Sequence, residues 1–354
     1  MYNGRGIPMR STPPSPYPVH SRTLPALGAA LITVLFWGSA FAGIRAGLHS
    51  YTPTHVALLR FLSASAALGV LAAVTRMRMP ARRDLPLILL LGLLGFAFYN
   101  IALNIGELQI PSGPAAVLIQ TLPIWTTLAA ILFLGEKVTA WGWIGIGVSF
   151  AGVLVIGLGK GSGFGLNWGA GLILLASFSA SAYNIIQKSM LNRYRPVEIT
   201  TYAIWAGTLM LLPFAGGLIG QVRAAPLGDT LAVVYLGFGP AALAYVTWAV
   251  VLSRMPASRA SSALFAVPVV AFLVGWAWLG ETPTLIDVAG GVLAMGGVAL
   301  VNTLGRAKTA SAAGPVRAAA DAAPGAQAPA ATNPRTTAAT GTGAASARRS
   351  SRKR

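Results

Sequence analysis

The chain has no cysteine among its 354 residues, which excludes disulfides, thiolate metal sites and cysteine nucleophiles. Histidine is almost as scarce. His20, His49 and His55 stand apart near segment ends, too few and too scattered for a metal cluster, so no metal or other cofactor is expected. Charge is the third shortage, at 10% of residues. A soluble globular chain carries roughly 25%, so a water-facing surface cannot be covered here. What charge there is leans one way, with 26 Lys+Arg against 8 Asp+Glu and a net charge of +18. The excess alone suggests nucleic acid as a partner, but its position argues otherwise. Nine basic residues follow Leu304, and most others fall in short gaps between apolar runs. That is the pattern of cytoplasmic loops beside an anionic membrane surface, and no nucleic-acid partner is expected.

What the chain has instead is apolar length: 55% of it is hydrophobic, with a mean hydropathy of +0.67. A helix needs about 20 apolar residues to cross the hydrocarbon core. Ten such segments occur, at roughly 25–47, 55–75, 85–106, 113–134, 140–159, 168–188, 198–219, 229–252, 260–280 and 284–304. Barrel strands would be half as long and would alternate in polarity. The expected fold class is therefore an all-α integral membrane protein of ten transmembrane helices, with the lipid bilayer as its surroundings. Residues 1–24, rich in Pro, Ser and Arg, and the basic Ala/Pro/Thr/Gly-rich stretch 305–354 are expected to be disordered tails. Both Met1 and Met9 are plausible starts. The first apolar run is too long for a cleaved signal peptide.

Orientation follows from the loops. Alternate loops on one side carry Arg76, Arg78, Arg82, Arg83, Lys137, Lys188, Arg193, Arg195, Arg254 and Arg259, while the other side has only Lys160 and Arg223. The basic side faces the cytoplasm, so both termini are expected inside, in a multi-pass plasma-membrane protein of bacterial type.

The chain also repeats itself. PSGPAAVLIQTLPIW from Pro111 aligns without gaps on PASRASSALFAVPVV from Pro256, at a constant offset of 145. The match pairs Pro123 with Pro268, Leu134–Gly135–Glu136 with Leu279–Gly280–Glu281, Gly145 with Gly290, and Gly152 with Gly297. Each half, 25–159 and 168–304, holds five spans. An odd number inverts the second half, an arrangement that suits a midplane site opened to alternate sides. Pro123 and Pro268 lack an amide donor, so both helices should kink near mid-membrane, and paired interruptions of this kind point to a binding site.

This tandem pattern, with FWGSAF in the first span, ALLRF in the second and LFLGEK and AWLGET closing the fourth and ninth, resembles the drug/metabolite transporter superfamily, EamA type. The resemblance covers roughly residues 25 to 304. It implies two inverted five-helix repeats around a central cavity, with spans five and ten peripheral. It also implies export or exchange of small metabolites such as amino acids.

Charges inside the membrane are costly and usually face a cavity or a partner. Arg60, in the second span, matches an arginine common in that family and is the first candidate for a substrate carboxylate; Arg45 is the second, with snorkelling as its alternative. Trp37, Tyr99, Asn100, Asn104, Gln120, Trp125, Tyr183, Asn184, Gln187, Trp205, Tyr245 and Trp248 offer amide and aromatic groups for the pathway, or helix–helix contacts. Tyr51 and Trp141 read as interfacial belt residues. Glu107 and Asp287 are the acids placed to bind a proton, and the LGE acids read as helix-end groups. Small residues in spans five and ten fit close packing, within the fold or across a homodimer.

The function expected is a secondary transporter of small molecules, an efflux or exchange carrier rather than an enzyme. The alternatives are a drug or nucleotide-sugar carrier on the same fold and, from another class, a membrane enzyme of lipid-linked substrates. The enzyme would need clustered Asp or His at one membrane face, and the sequence shows none.

Overall fold

The computed structural model describes residues 20–134, 138–158, 167–191, 193–254 and 263–304. Among these, every regular element is helical and no strand forms. Glu136, Lys137, Lys160, Pro256, Arg259, residues 1–19 and residues 305–354 lie outside the described residues, whereas residues 20–24 of the first expected tail begin a helix.

The helices are α1 (His20–Gly47), α2 (Pro53–Thr75), α3 (Leu85–Gly92), α4 (Phe98–Gly106), α5 (Ser112–Ile119), α6 (Leu122–Leu134) and α7 (Ala140–Leu158). They continue as α8 (Trp168–Met190), α9 (Pro196–Leu211), α10 (Leu218–Ala224), α11 (Leu227–Leu236), α12 (Ala244–Arg254), α13 (Val267–Leu279) and α14 (Leu285–Leu304). Eight stretches are long and apolar enough to cross a membrane. Of the ten expected segments the fourth is interrupted, and the ninth is described only from residue 263 onward. The fourth is divided into α5 and α6 at Gln120–Thr121, and the ninth is left as the shorter Leu264–Leu279.

The prolines explain the interruptions, and they break the helices rather than merely kinking them. Pro123 and Pro268 each stand second in a new 13-residue helix, α6 and α13, whose limits are offset by 145 at both ends. A proline cannot donate to the carbonyl four residues back, and inside a membrane that carbonyl must find another partner. It does so at both breaks. Ser177 Oγ of α8 donates to Ile119 O at 2.9 Å, and Gln120 Nε2 donates to Leu264 O at 2.6 Å.

Spans three and eight share a second irregularity. Leu93–Ala97 joins α3 to α4, and Gly237–Leu243 joins α11 to α12, each as a π-helical segment. Such π segments leave carbonyls turned aside and recur at functional sites. Here Ser179 Oγ donates to Leu94 O at 2.7 Å, Asn100 Nδ2 to Phe96 O at 2.9 Å and Trp37 Nε1 to Pro240 O at 3.2 Å.

The small residues of α7 and α14 interlock with each other. A Cβ placed on Gly152 would stand 2.6 Å from Gly290 O, and one on Gly145 would stand 2.8 Å from Gly297 O. The glycines are thus used within one chain. Tyr51 departs from the interfacial expectation: it is only 3% exposed, and its hydroxyl meets Thr230 Oγ1 at 2.6 Å. Trp141 is exposed, as a belt residue would be.

Candidate functional site

The site is built around Arg60, whose place in an apolar helix is set by α2. Thr52 and Pro53 start that helix, and Arg76 ends it in a left-handed conformation, φ 50°. Arg60 then falls on the face turned toward α4 and the π segment of span eight. Its side chain is buried. Nη1 donates to Asn100 Oδ1 at 3.0 Å, while Nε has no partner among the described residues. Asn100 is itself fixed by its bond to Phe96 O, so its amide oxygen is aimed at the guanidinium.

Aromatic rings enclose this charge. The Arg60 guanidinium carbon lies 5.4 Å from the Phe61 ring centre, and Phe61 meets Phe96 edge-on at 5.5 Å. Phe96 in turn meets Tyr183 at 5.4 Å and Tyr245 at 5.9 Å, and Trp37 contacts Tyr245 at 5.4 Å and Trp248 at 5.6 Å. Tyr99, Tyr245 and Glu107 are the ionisable groups that interact electrostatically with Arg60. The result is one buried cation with spare donors, one oriented amide and a wall of amphipathic rings. That combination suits a small ligand with an anionic end.

The sequence candidates therefore divide. Trp37, Arg60, Tyr99, Asn100, Tyr183, Tyr245 and Trp248 come together, and Gln187 joins through its 2.7 Å bond to the Tyr183 hydroxyl. Six others are placed elsewhere. Gln120 serves the broken ninth segment, Asn104 Nδ2 donates to Pro53 O at 2.9 Å, and Trp205 Nε1 donates to Ser65 O at 3.3 Å. Trp125 packs edge-on against Phe150 and Phe178, and Asn184 is exposed. Arg45 belongs to a different cluster. Phe61 and Phe96 escaped the sequence reading because nothing distinguishes one phenylalanine from another in an apolar span.

The second cluster closes one end of the bundle. Arg45 Nε pairs with Glu281 Oε1 at 2.9 Å and its Nη1 donates to the Glu107 backbone carbonyl at 2.5 Å. Glu281 Oε2 accepts from Ser112 N at 2.9 Å and from Ser112 Oγ at 2.6 Å. Gly280 makes this possible. With φ +68° it ends α13 in the left-handed region, and Glu281 N then bonds back to Gly275 O at 3.1 Å, turning the acid over the start of α5. This explains the glycine and acid of the second LGE triplet. Arg45 is thus paired rather than snorkelling, and Ser112 is a partner that sequence reading missed. Asp287 has its own work, accepting from Thr284 N at 3.0 Å and Thr284 Oγ1 at 2.8 Å at the start of α14.

The other end is tied differently. Asp84 accepts from Arg193 Nη1 at 2.6 Å and from the Tyr194 hydroxyl at 2.8 Å. At the Glu281 end Asp229, 145 residues after Asp84, accepts from Ser50 Oγ at 2.5 Å.

A chain of many apolar helices folded around a buried cation, an amide and aromatic rings is an integral membrane protein of transporter class. Comparison with known proteins makes this specific. The model of the EamA-like transporter family matches residues 24–158 and again 167–303. The chain belongs to that family and is a membrane transporter. It is similar to an uncharacterized transporter, YdfC, of Bacillus subtilis (strain 168), with 41% identity over 79% of this chain and 92% of the relative. It is also similar to a probable terminal-alkyne amino-acid exporter of Streptantibioticus cattleyicolor, at 38% over 81% and 97% of the two chains. A third relative is a probable amino-acid metabolite efflux pump of Salmonella typhimurium, at 30% over 78% and 94%. A solved crystal structure shares the fold at TM-score 0.54 and 19% identity, covering 78% of this chain and 99% of the other.

Proposed function

We propose that this protein is a secondary transporter that exports or exchanges small metabolites carrying a carboxylate, amino acids foremost, with Arg60 as the group that binds the carboxylate. The observation that carries this reading is the incomplete hydrogen bonding of Arg60. Among the described residues it is a buried cation with one side-chain acceptor, Asn100, and no partner for Nε, set among Tyr99, Tyr245 and Phe61. A permanent charge taken out of water at such cost is retained where a ligand completes its coordination. The aromatic wall would carry the rest of the substrate. Two relatives named for amino-acid export agree with the choice of substrate.

The mechanism that fits is alternating access between two inverted five-helix repeats in a ten-span layout. It is supported by the matched 13-residue helices α6 and α13, the π segments of spans three and eight and the corresponding aspartates Asp84 and Asp229. The Asp84 end carries Arg78, Arg82, Arg83, Arg193 and Arg195, so it would face the cytoplasm and the Glu281 end the exterior, with both termini inside the cell membrane.

The test is counterflow in proteoliposomes with a panel of labelled amino acids and their decarboxylated amines. Saturable exchange restricted to the acids, and lost in Arg60→Ala, is the expected outcome. Transport by Arg60→Ala at the wild-type rate, or equal transport of the amines, would sink the assignment.

A further inference from the structure

One acid joins the Glu281 cluster through its backbone alone. Glu107 follows the last turn of α4 and is completely buried, and neither of its carboxylate oxygens has a hydrogen-bond partner among the described residues. Only its backbone carbonyl meets Arg45. An ionised carboxylate taken out of water with no donor is strongly disfavoured, so this arrangement holds the neutral acid. Burial pushes the Glu107 carboxyl well above its usual range, with Arg45 and Arg60 pulling down and Glu281 pushing further up.

The charged neighbours can be named element by element. From α1 comes Arg45, already committed to Glu281. From α2 comes Arg60, while His55, at the start of that helix, is engaged by Gln221 and Gly216. The turn between α13 and α14 brings Glu281. The first turns of α8, which pack on Gly106 through Gly169 and Ile173, bring no titratable group, and α5 brings only the hydroxyl of Ser112. On its own helix Tyr99 faces the same region. One guanidinium is therefore shared unequally between two acidic residues: Glu281 has its Nε, and the Glu107 carboxylate has no donor among the described residues.

We propose that Glu107 is a proton-binding site that locks this end of the transporter. With the proton bound, Arg45 is left to Glu281 and the end stays closed. With the proton lost to water at that end, the Glu107 carboxylate competes for Arg45 and repels Glu281, and the end opens. The step is a simple protonation, carboxylate plus a proton giving the acid, and no electrons move. The sign follows from linkage. In the open, hydrated form Glu107 titrates as an ordinary carboxyl, whereas the closed form holds its proton to higher pH. Closure is therefore fully favoured at low pH and loses that advantage as pH rises through the closed-state value.

The inference rests on alternating access only in that the end must open, and it makes no use of substrate. Because the native chain has no cysteine, a single thiol can report on opening. Phe272→Cys places one in the small cavity lined by Ser112 and Glu281, and exposed His49→Cys corrects for the intrinsic reactivity of a thiol. In phosphatidylcholine liposomes, maleimide labelling at Phe272→Cys relative to the control should rise with pH. The ceiling is about tenfold for each pKa unit by which closure raises Glu107. Adding Glu107→Gln, which mimics the acid, should hold labelling low at every pH, and adding Arg45→Gln should hold it high. A flat wild-type profile, or Glu107→Gln titrating like the wild type, would overturn the proposal. An infrared difference between the wild type and Glu107→Gln must also show a carboxylic-acid carbonyl band in the closed state. Its absence overturns the proposal even if a variant folds poorly. Counterflow by Arg60→Ala at the wild-type rate, with this titration intact, would count against the carboxylate site alone.

Discussion

Arg45, in the last turn of α1, and Arg60, inside α2, lie 15 residues apart, and the structure treats them in opposite ways. Arg45 is partly exposed and fully employed, its Nε on Glu281 and its Nη1 on the Glu107 carbonyl. Arg60 is buried and underemployed, with one bond to Asn100 and no partner for Nε among the described residues. A buried ion pair often adds little stability because desolvation offsets its Coulomb gain. A paired arginine at a helix end is thus suited to holding two elements together reversibly. A buried arginine left short of acceptors is suited to holding something that arrives. On the roles proposed above, the difference separates closure from binding.

Substitutions can test that separation. The largest effect is expected from Arg60→Ala, which removes a charge-assisted bond to substrate worth about 1.5–3 kcal/mol, or roughly 10–100-fold in transport. Arg60→Lys keeps the charge without the fork and should fall between. If Arg45→Gln lowered substrate affinity by as much in counterflow, the two arginines would not be distinct. Next comes overpacking of the α7–α14 seam. Gly152→Val should cost about 1–3 kcal/mol of stability, read as earlier thermal unfolding in detergent, with transport per folded molecule unchanged. Glu281→Gln should speed labelling of Phe272→Cys several-fold at acid pH yet shift the unfolding midpoint little, since a partly exposed pair contributes only about 0–1 kcal/mol. The smallest effect on transport belongs to Gln120→Leu, which deprives Leu264 O of one donor at about 0.5–1.5 kcal/mol of stability. Substrate affinity should not change, and a lost carboxylate preference there would move the binding site toward the broken helices.

Much of this was legible in the chain. Arg60 stood out because a charge in a long apolar run must be explained, and the LGE triplet because it occurs twice at one offset. The prolines marked the interruptions, although a missing amide does not say whether a helix bends or stops. Here the answer depended on donors from elsewhere, Ser177 and Gln120, that stabilise the freed carbonyls. Asn184 and Tyr183 illustrate the limit: adjacent in sequence, one is exposed and the other buried in the aromatic wall. In a span that is apolar on every side, hydropathy does not reveal which face turns inward.

By itself the sequence determined the membrane, the helical class and the duplication, because hydrophobic length and an exact offset are properties of the linear chain. The tertiary structure alone decided which arginine is paired and which is left open. It also decided that Glu107 has no donor among the described residues and that Glu281 reaches Ser112. Those facts depend on side chains up to 236 residues apart meeting within hydrogen-bonding distance, which no local pattern encodes.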